Sequence, residues 1–260
     1  MGGPALIAVV VDALDAAAAL RAEELAWRTG LPLASRDPAA VGAELCLAVT
    51  DARLELREAG NSQARPMFVD FVSGPTGYRR RSGGGRGQPI GRAVGLRTGC
   101  RTIFDATAGL GRDAFLLACL GCEVVACERS PVIAAMLYDA LERARRVGDD
   151  QLAAICDRLV FREGDAIQAL ASLSPECTPE VVYVDPMYAP LQRSALSKKE
   201  LRILRRIVGD DVDAGELLCV ARAKARRRTV VKRHHSAPPL APDVSHSVEG
   251  QRVRYDVYLS

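Results

Sequence analysis

One apolar run in this chain ends in a way that core packing does not require: VVYV, residues 181–184, leads straight into Asp185-Pro186-Met187-Tyr188. A carboxylate, a proline and an aromatic ring at a strand end suit a particular task, gripping a flat, amino-bearing ring. The lone pair of an exocyclic amine is delocalised into its ring, so the nitrogen is a weak nucleophile until acceptors draw on its two hydrogens. The Asp185 carboxylate and the Pro186 carbonyl are acceptors of that kind. Proline fixes φ and carries no N–H, so its carbonyl is presented on a stiff turn without a competing donor. Tyr188 adds a face on which a flipped-out base can stack. Alone, the run also reads as a strand-terminating turn with a half-buried tyrosine.

Three other strand ends bear on the choice. Asp105-Ala106-Thr107-Ala108-Gly109-Leu110-Gly111-Arg112-Asp113 follows one strand and opens a helix. Its two glycines let backbone approach a ligand, and the helix N-terminus offers N–H groups. With Ala114 the turn satisfies the dinucleotide pattern G-x-G-x-x-[G/A]. The next strand ends in Glu128, where an acid can accept from both hydroxyls of a ribose. The third ends in Gly164-Asp165, an acid able to accept from an adenine amino group or to cap the helix that follows. In a doubly wound sheet these ends line one crevice. The first three suit a nicotinamide dinucleotide or S-adenosylmethionine equally. The fourth favours methyl transfer, because Asp-Pro-Met-Tyr has no role in hydride transfer and no sizeable substrate domain follows.

The elements that must position these residues divide the chain near residue 100. Before it, ALIAVVV reads as a strand, AAAALRAEELAWRT as an amphipathic helix ended by Gly30, and AELCLAVTDARLELREAG as two strands meeting near Thr50-Asp51. PMFVDFVSG reads as a further strand. This predicts a small N-terminal α+β domain over 1–73. Residues 74–99 form a Gly/Arg-rich linker and helix, and 100–260 a second domain in which strands alternate with helices. Five such strands and a terminal antiparallel pair around Gly250 give a seven-stranded, mostly parallel sheet with helices on both faces, an α/β, Rossmann-like fold.

Several classes are disfavoured by composition. A hydrophobic fraction of 48% with 26% charged residues describes an ordinary globular protein. ALIAVVV is too short to cross a bilayer and lacks the basic flank of a signal peptide, so a cytoplasmic location without membrane attachment is expected. The eight cysteines include a lone C-x-x-C, Cys119 and Cys122, and the three histidines are His234, His235 and His246. That set predicts buried free thiols and no metal site. Net charge is only +3, but the basic residues are clustered. Arg79, Arg80, Arg81, Arg86, Arg92, Arg97 and Arg101 fall in one short span beside Tyr78, and Arg222, Lys224, Arg226, Arg227, Arg228, Lys232 and Arg233 in another. Arginine matches phosphate geometry, so an RNA path is expected, with Arg79, Arg80, Arg81 and Arg86 as its first contacts.

DATAGLGRDAF, ERSPVIAAML, VVYVDPMY and SALSKKELRILRRIVG resemble the RsmJ family of ribosomal small-subunit methyltransferases. VDFVSGPTGYRRRSGGGRGQPIGRAVGL also resembles the segment that precedes that family's catalytic domain, so the likeness runs from about Val69 to the C-terminus. It implies a class I fold dependent on S-adenosylmethionine. It also implies methylation of N2 of a guanosine near the 3′ end of 16S rRNA, with the small ribosomal subunit as partner. Cofactor contacts are implied for Arg112, Asp113, Glu128, Arg129, Gly164, Asp165 and Asp185, beside Asp105, Thr107, Gly109 and Gly111 of the glycine turn. The family often has small hydroxylated residues where Gly164-Asp165 stands and Phe where Tyr188 stands. The alternatives weighed are an amino-methyltransferase acting on adenine N6, a nicotinamide-dependent oxidoreductase and a non-catalytic RNA-binding module.

Overall fold

A computed structural model of the chain describes residues 6–13, 15–34, 38–61, 63–73, 87–186, 198–209 and 212–260. In chain order the first elements are β1 (Ile7–Asp12), α1 (Ala16–Thr29), β2 (Leu33–Ala34), β3 (Leu45–Thr50), β4 (Leu54–Glu58), α2 (Pro89–Ala93), β5 (Thr102–Asp105), α3 (Arg112–Cys119) and β6 (Glu123–Glu128). Then follow α4 (Pro131–Arg145), α5 (Asp150–Asp157), β7 (Leu159–Glu163), α6 (Ala166–Ala171), β8 (Val181–Val184), α7 (Lys198–Val208), α8 (Ala214–Lys224), β9 (Arg228–His234), β10 (His246–Glu249) and β11 (Val253–Leu259). Two compact units emerge. One gathers Met1–Val69, Ser130–Arg143 and Ala195–Gly209; the other gathers Asp70–Arg129, Ala144–Ser194 and Asp210–Ser260.

The first unit is built on a four-stranded sheet in the order β2-β1-β3-β4, with β1 parallel to β2 and β3, and β4 antiparallel to β3. Helix α1 starts where Asp15 accepts the Ala17 N–H at 3.0 Å and stops at Gly30, whose φ of 67° suits a residue without Cβ. Its buried Ala18, Ala22, Leu25 and Ala26 recur at helical spacing and form the face that packs toward the strands. The expected strand over PMFVDFVSG is replaced by a single antiparallel bridge between Leu56 and Met67. Extension stops at Asp70, whose carboxylate accepts the N–H groups of Val72 and Ser73 at 2.9 and 3.2 Å and so closes a turn.

The second unit holds a seven-stranded sheet in the order β10-β11-β9-β8-β5-β6-β7. Strands β5 to β9 run parallel, and β11 and β10 add an antiparallel edge. The chain winds outward from β5 through β6 to β7, then returns to β8 and winds the other way, so the order reverses between β5 and β8. Side chains alternate across the strands. Phe104, Val182, Val184 and Val231 pack with Leu170 of α6 and with Leu217 and Leu218 of α8 on one face. Burying each such side chain contributes about 1.5–3 kcal/mol. Alternation turns Tyr183 and Lys232 to the opposite face, where Tyr183 meets Asp113 of α3. Phe71 stacks on Phe115 with centroids 4.6 Å apart, both rings fully buried. Helix α5 has no counterpart in the expected pattern; Asp149 caps it by accepting the Leu152 N–H at 2.8 Å.

Candidate active site

The site lies in the second unit at the C-terminal ends of β5 and β8, the point of reversal where open α/β sheets bind ligands. The turn after β5 needs its glycines: Gly109 and Gly111 have φ of 52° and 70°, a region costly for residues with Cβ. Gly111 occupies the N-cap of α3 without a side-chain cap, so no capping group stands between that helix end and a ligand. The Gly109 N–H donates to Glu128 Oε2 at 2.9 Å, and the Gly164 N–H to the Glu128 carbonyl at 2.9 Å. Those bonds tie the ends of β5, β6 and β7 together.

A second network grips the end of β8. Asp105, 1% exposed, accepts the Thr107 N–H at 3.0 Å, and Thr107 Oγ1 accepts the Asp185 N–H at 2.6 Å. Lys232 Nζ donates to Asp185 Oδ2 and to Asp113 Oδ2, each at 2.7 Å, while the Tyr183 hydroxyl donates to Asp113 Oδ2 at 2.7 Å. Burial foremost pushes the Asp105 carboxyl up to about 8; the Thr107 N–H opposes the rise, and Asp113 and Asp185 add to it. Asp105 therefore carries a proton near neutrality. Burial works against the Lys232 ammonium, yet Asp185 and Asp113 beside it hold the amine above its ordinary value. Burial, reinforced by Asp113, pushes the Tyr183 phenol well above its usual range, so it remains a donor. The outcome is a gathering of acids around one ammonium, at a strand end whose Asp185 side chain is 37% exposed.

A sequence profile described as "Putative SAM-dependent methyltransferase" matches residues 31–260. The ribosomal RNA small subunit methyltransferase J of Pseudomonas aeruginosa (strain LESB58) is 46% identical over 250 residues, covering 95% of this chain and 93% of that protein. The chain belongs to the ribosomal RNA small subunit methyltransferase J family. The protein of that name from Dechloromonas aromatica (strain RCB) is 47% identical over 85% of this chain and 90% of its own. A crystal structure of a SAM-dependent methyltransferase from Neisseria gonorrhoeae superposes with a TM-score of 0.71 at 30% identity, covering 97% of this chain and 95% of that one. The family is S-adenosylmethionine-dependent, and the seven-stranded, mostly parallel sheet is the class I fold expected of it.

The residues present fit that cofactor. A donor with a cationic sulfonium suits a site rich in carboxylates, and its ribose hydroxyls suit Glu128, only 5% exposed and already fixed by Gly109. Of the cofactor residues expected for a family member, Asp105, Thr107, Gly109, Asp113, Glu128, Gly164 and Asp185 fall into the two networks. Asp165 caps α6, accepting the Gln168 N–H at 2.9 Å. Arg129 pairs with Asp213 at 3.0 Å, and Arg112 is the exposed first residue of α3. Pro186 is buried. Tyr188, Arg79, Arg80, Arg81 and Arg86 lie outside the described residues.

The second basic cluster is largely engaged within the protein. Arg222 pairs with Asp243 at 2.7 Å, Lys224 donates to the Ala171 and Leu173 carbonyls, and Arg227, Arg228 and Arg233 donate to carbonyls of Thr98, Ala93 and Pro238. Lys232, grouped with them by sequence, belongs to the site. Its signal was its place in the strand RTVVKR, on the alternation that turns away from Val231. The cysteines are all free, as expected, but Cys177 and Cys219 are exposed. Burial, aided by Glu128 and Asp165, pushes the Cys127 thiol up to about 12, which leaves it inert beside the crevice. Among the described residues, no group of three or more His, Cys, Asp or Glu is arranged to hold a metal ion, and no helix is long and apolar enough to cross a membrane.

Proposed function

We propose that this protein transfers a methyl group from S-adenosylmethionine to the exocyclic N2 of a guanosine near the 3′ end of 16S rRNA. The observation that carries the reading is the position of Asp185: it stands at the reversal point, tied by Thr107 to the glycine turn and by Lys232 to α3. The family name, borne by relatives that span nearly the whole chain, supports the RNA substrate. The cofactor supplies an electrophilic methyl carbon on a sulfonium. Asp185 and the Pro186 carbonyl accept the two hydrogens of the base's amine, raising electron density at nitrogen and aiming its lone pair. With the cofactor bound, that methyl carbon would pass to the nitrogen while sulfur keeps the electron pair of the C–S bond. The nitrogen sheds one proton, which Asp185 accepts and passes to solvent. Tyr188 stacks on the base, and Arg79, Arg80, Arg81 and Arg86 hold phosphates of the small ribosomal subunit's RNA. The setting is the cytoplasm.

The test is transfer of labelled methyl to purified 30S subunits and to naked 16S rRNA, followed by nucleoside analysis. Label in N2-methylguanosine is expected. Label confined to N6-methyladenosine, or none in either RNA, refutes the reading.

A further inference from the structure

The register of the sheet brings an unassigned residue to the reacting end. Strands β8 and β9 are parallel, with Tyr183 opposite Val230 and Val184 opposite Val231. One step further sets Asp185 beside Lys232, both on the face away from Val184 and Val231. From the other side β11 places Tyr255 opposite Lys232, with its ring 6.5 Å from that of Tyr183. The charged and titratable groups facing Lys232 are thus Asp185 after β8, Tyr183 on β8, Asp113 on α3, Asp105 at the end of β5 and Tyr255 on β11.

We propose that Lys232 is a positioning residue for methyl transfer: its ammonium keeps the Asp185 carboxylate ionised and oriented toward the substrate amine, and couples it to Asp113 at the start of α3. The inference rests on the assignment of Asp185 as the acceptor for that amine. Asp113 and Asp185 are gathered on one ammonium, and like charges that close raise one another's affinity for protons. A protonated Asp185 would offer an O–H where the amine needs acceptors. Lys232 offsets that repulsion with a single charge that bonds to both Asp113 and Asp185 at 2.7 Å. Asp113 is further fixed by the buried Tyr183 hydroxyl, so the ammonium has a rigid anchor on one side and the working carboxylate on the other. A lysine that only tied α3 to the sheet would leave the pH dependence of kcat unmoved, and this separates the two roles.

The experiment compares wild type with Lys232→Met and Lys232→Arg. Carbon NMR of carboxyl-labelled aspartate, with the Asp185 signal assigned through Asp185→Asn, follows its titration in the cofactor-free protein. Methyl transfer is measured over a pH series in parallel. In Lys232→Met the Asp185 midpoint should rise by about one to three pH units. The acid limb of kcat should move upward with it and the KM for RNA should change less; Lys232→Arg should restore the wild-type limb. An unmoved Asp185 midpoint, or a loss of kcat equal at every pH, overturns the proposal. If Lys232→Met does not fold, Lys232→Gln decides: it keeps a polar side chain between Asp113 and Asp185 without the charge, so the Asp185 midpoint and the acid limb of kcat should rise together, and an unmoved midpoint overturns the proposal. A wild-type protein that methylates no RNA would refute the substrate reading, while the NMR titration would still judge Lys232.

Discussion

Glu128 offers a perturbation whose two effects can be separated. Its carboxylate, 5% exposed at the end of β6, accepts the Gly109 N–H at 2.9 Å, and we propose that it also accepts from the cofactor's ribose. Glu128→Gln keeps a carbonyl oxygen for Gly109 but loses the charge and one acceptor. A hydrogen bond to a charged group contributes about 1.5–3 kcal/mol, so loss of one ribose contact should weaken S-adenosylmethionine on the order of ten- to a hundredfold. Glu128→Ala should lose at least as much affinity and also leave the Gly109 N–H without this acceptor, a further cost of about 1–3 kcal/mol in stability. In a chain of this size that corresponds to a fall in Tm of about 2–12 °C. Calorimetric titration with the cofactor and thermal melts of the cofactor-free proteins measure the two effects. Near-wild-type affinity in Glu128→Gln would refute the ribose assignment. Equal melting temperatures for the Ala and Gln variants would refute the structural role of the Gly109 bond.

Other outcomes are expected. Asp185→Ala should abolish methyl transfer while the protein stays folded, with some loss of cofactor affinity; a fully active variant would reduce the β8 end to a turn. Asp105 has a folded-state value near 8, above its ordinary 3.8, so the folded protein holds an extra proton between those limits. The stability this contributes is full at low pH and is lost as pH rises through about 8, at about 1.4 kcal/mol per pH unit. Thermal melts should therefore show wild type losing ground to Asp105→Asn from about pH 5 to about pH 8, and parallel curves would contradict the burial argument. Changing Arg79, Arg80 and Arg81 to Ala should flatten the slope of log affinity for a 16S rRNA fragment against log salt by roughly two to three, with cofactor binding unchanged. Filter binding with identical slopes for the two proteins would remove that loop from the RNA path.

Local chemistry made much of the fold legible. Alternating strands and helices, Gly30 past a helix end and the acids at strand ends are signals carried by a few neighbouring residues. The strands at 45–50 and 54–58 and the terminal antiparallel pair lie where the pattern put them. What escaped depends on partners distant in sequence. Lys232 looked like one more member of a basic run, because its neighbours in the chain are basic while its partners, Asp113 and Asp185, come from other elements. The turn at Asp70 overrode a run of apolar residues because its carboxylate competes for the backbone N–H groups that a strand would pair. Helix α5 went unread because it is short and follows α4 closely, and its one clear start signal is Asp149.

The chain's itinerary has a consequence for how the protein is made. The smaller compact unit takes its first segment from Met1–Val69, but it also includes Ser130–Arg143 and Ala195–Gly209. A ribosome releases residues in order, at roughly 5–20 per second. The N-terminal sheet is therefore exposed for several seconds before α4 exists, and longer before α7 does. Until then the sheet lacks part of its own unit, and contacts so far apart in sequence close late because of the loop entropy they must overcome. Order of synthesis and order of completion are thus reversed in part: the segment made first belongs to a unit that cannot be finished until most of the chain has emerged.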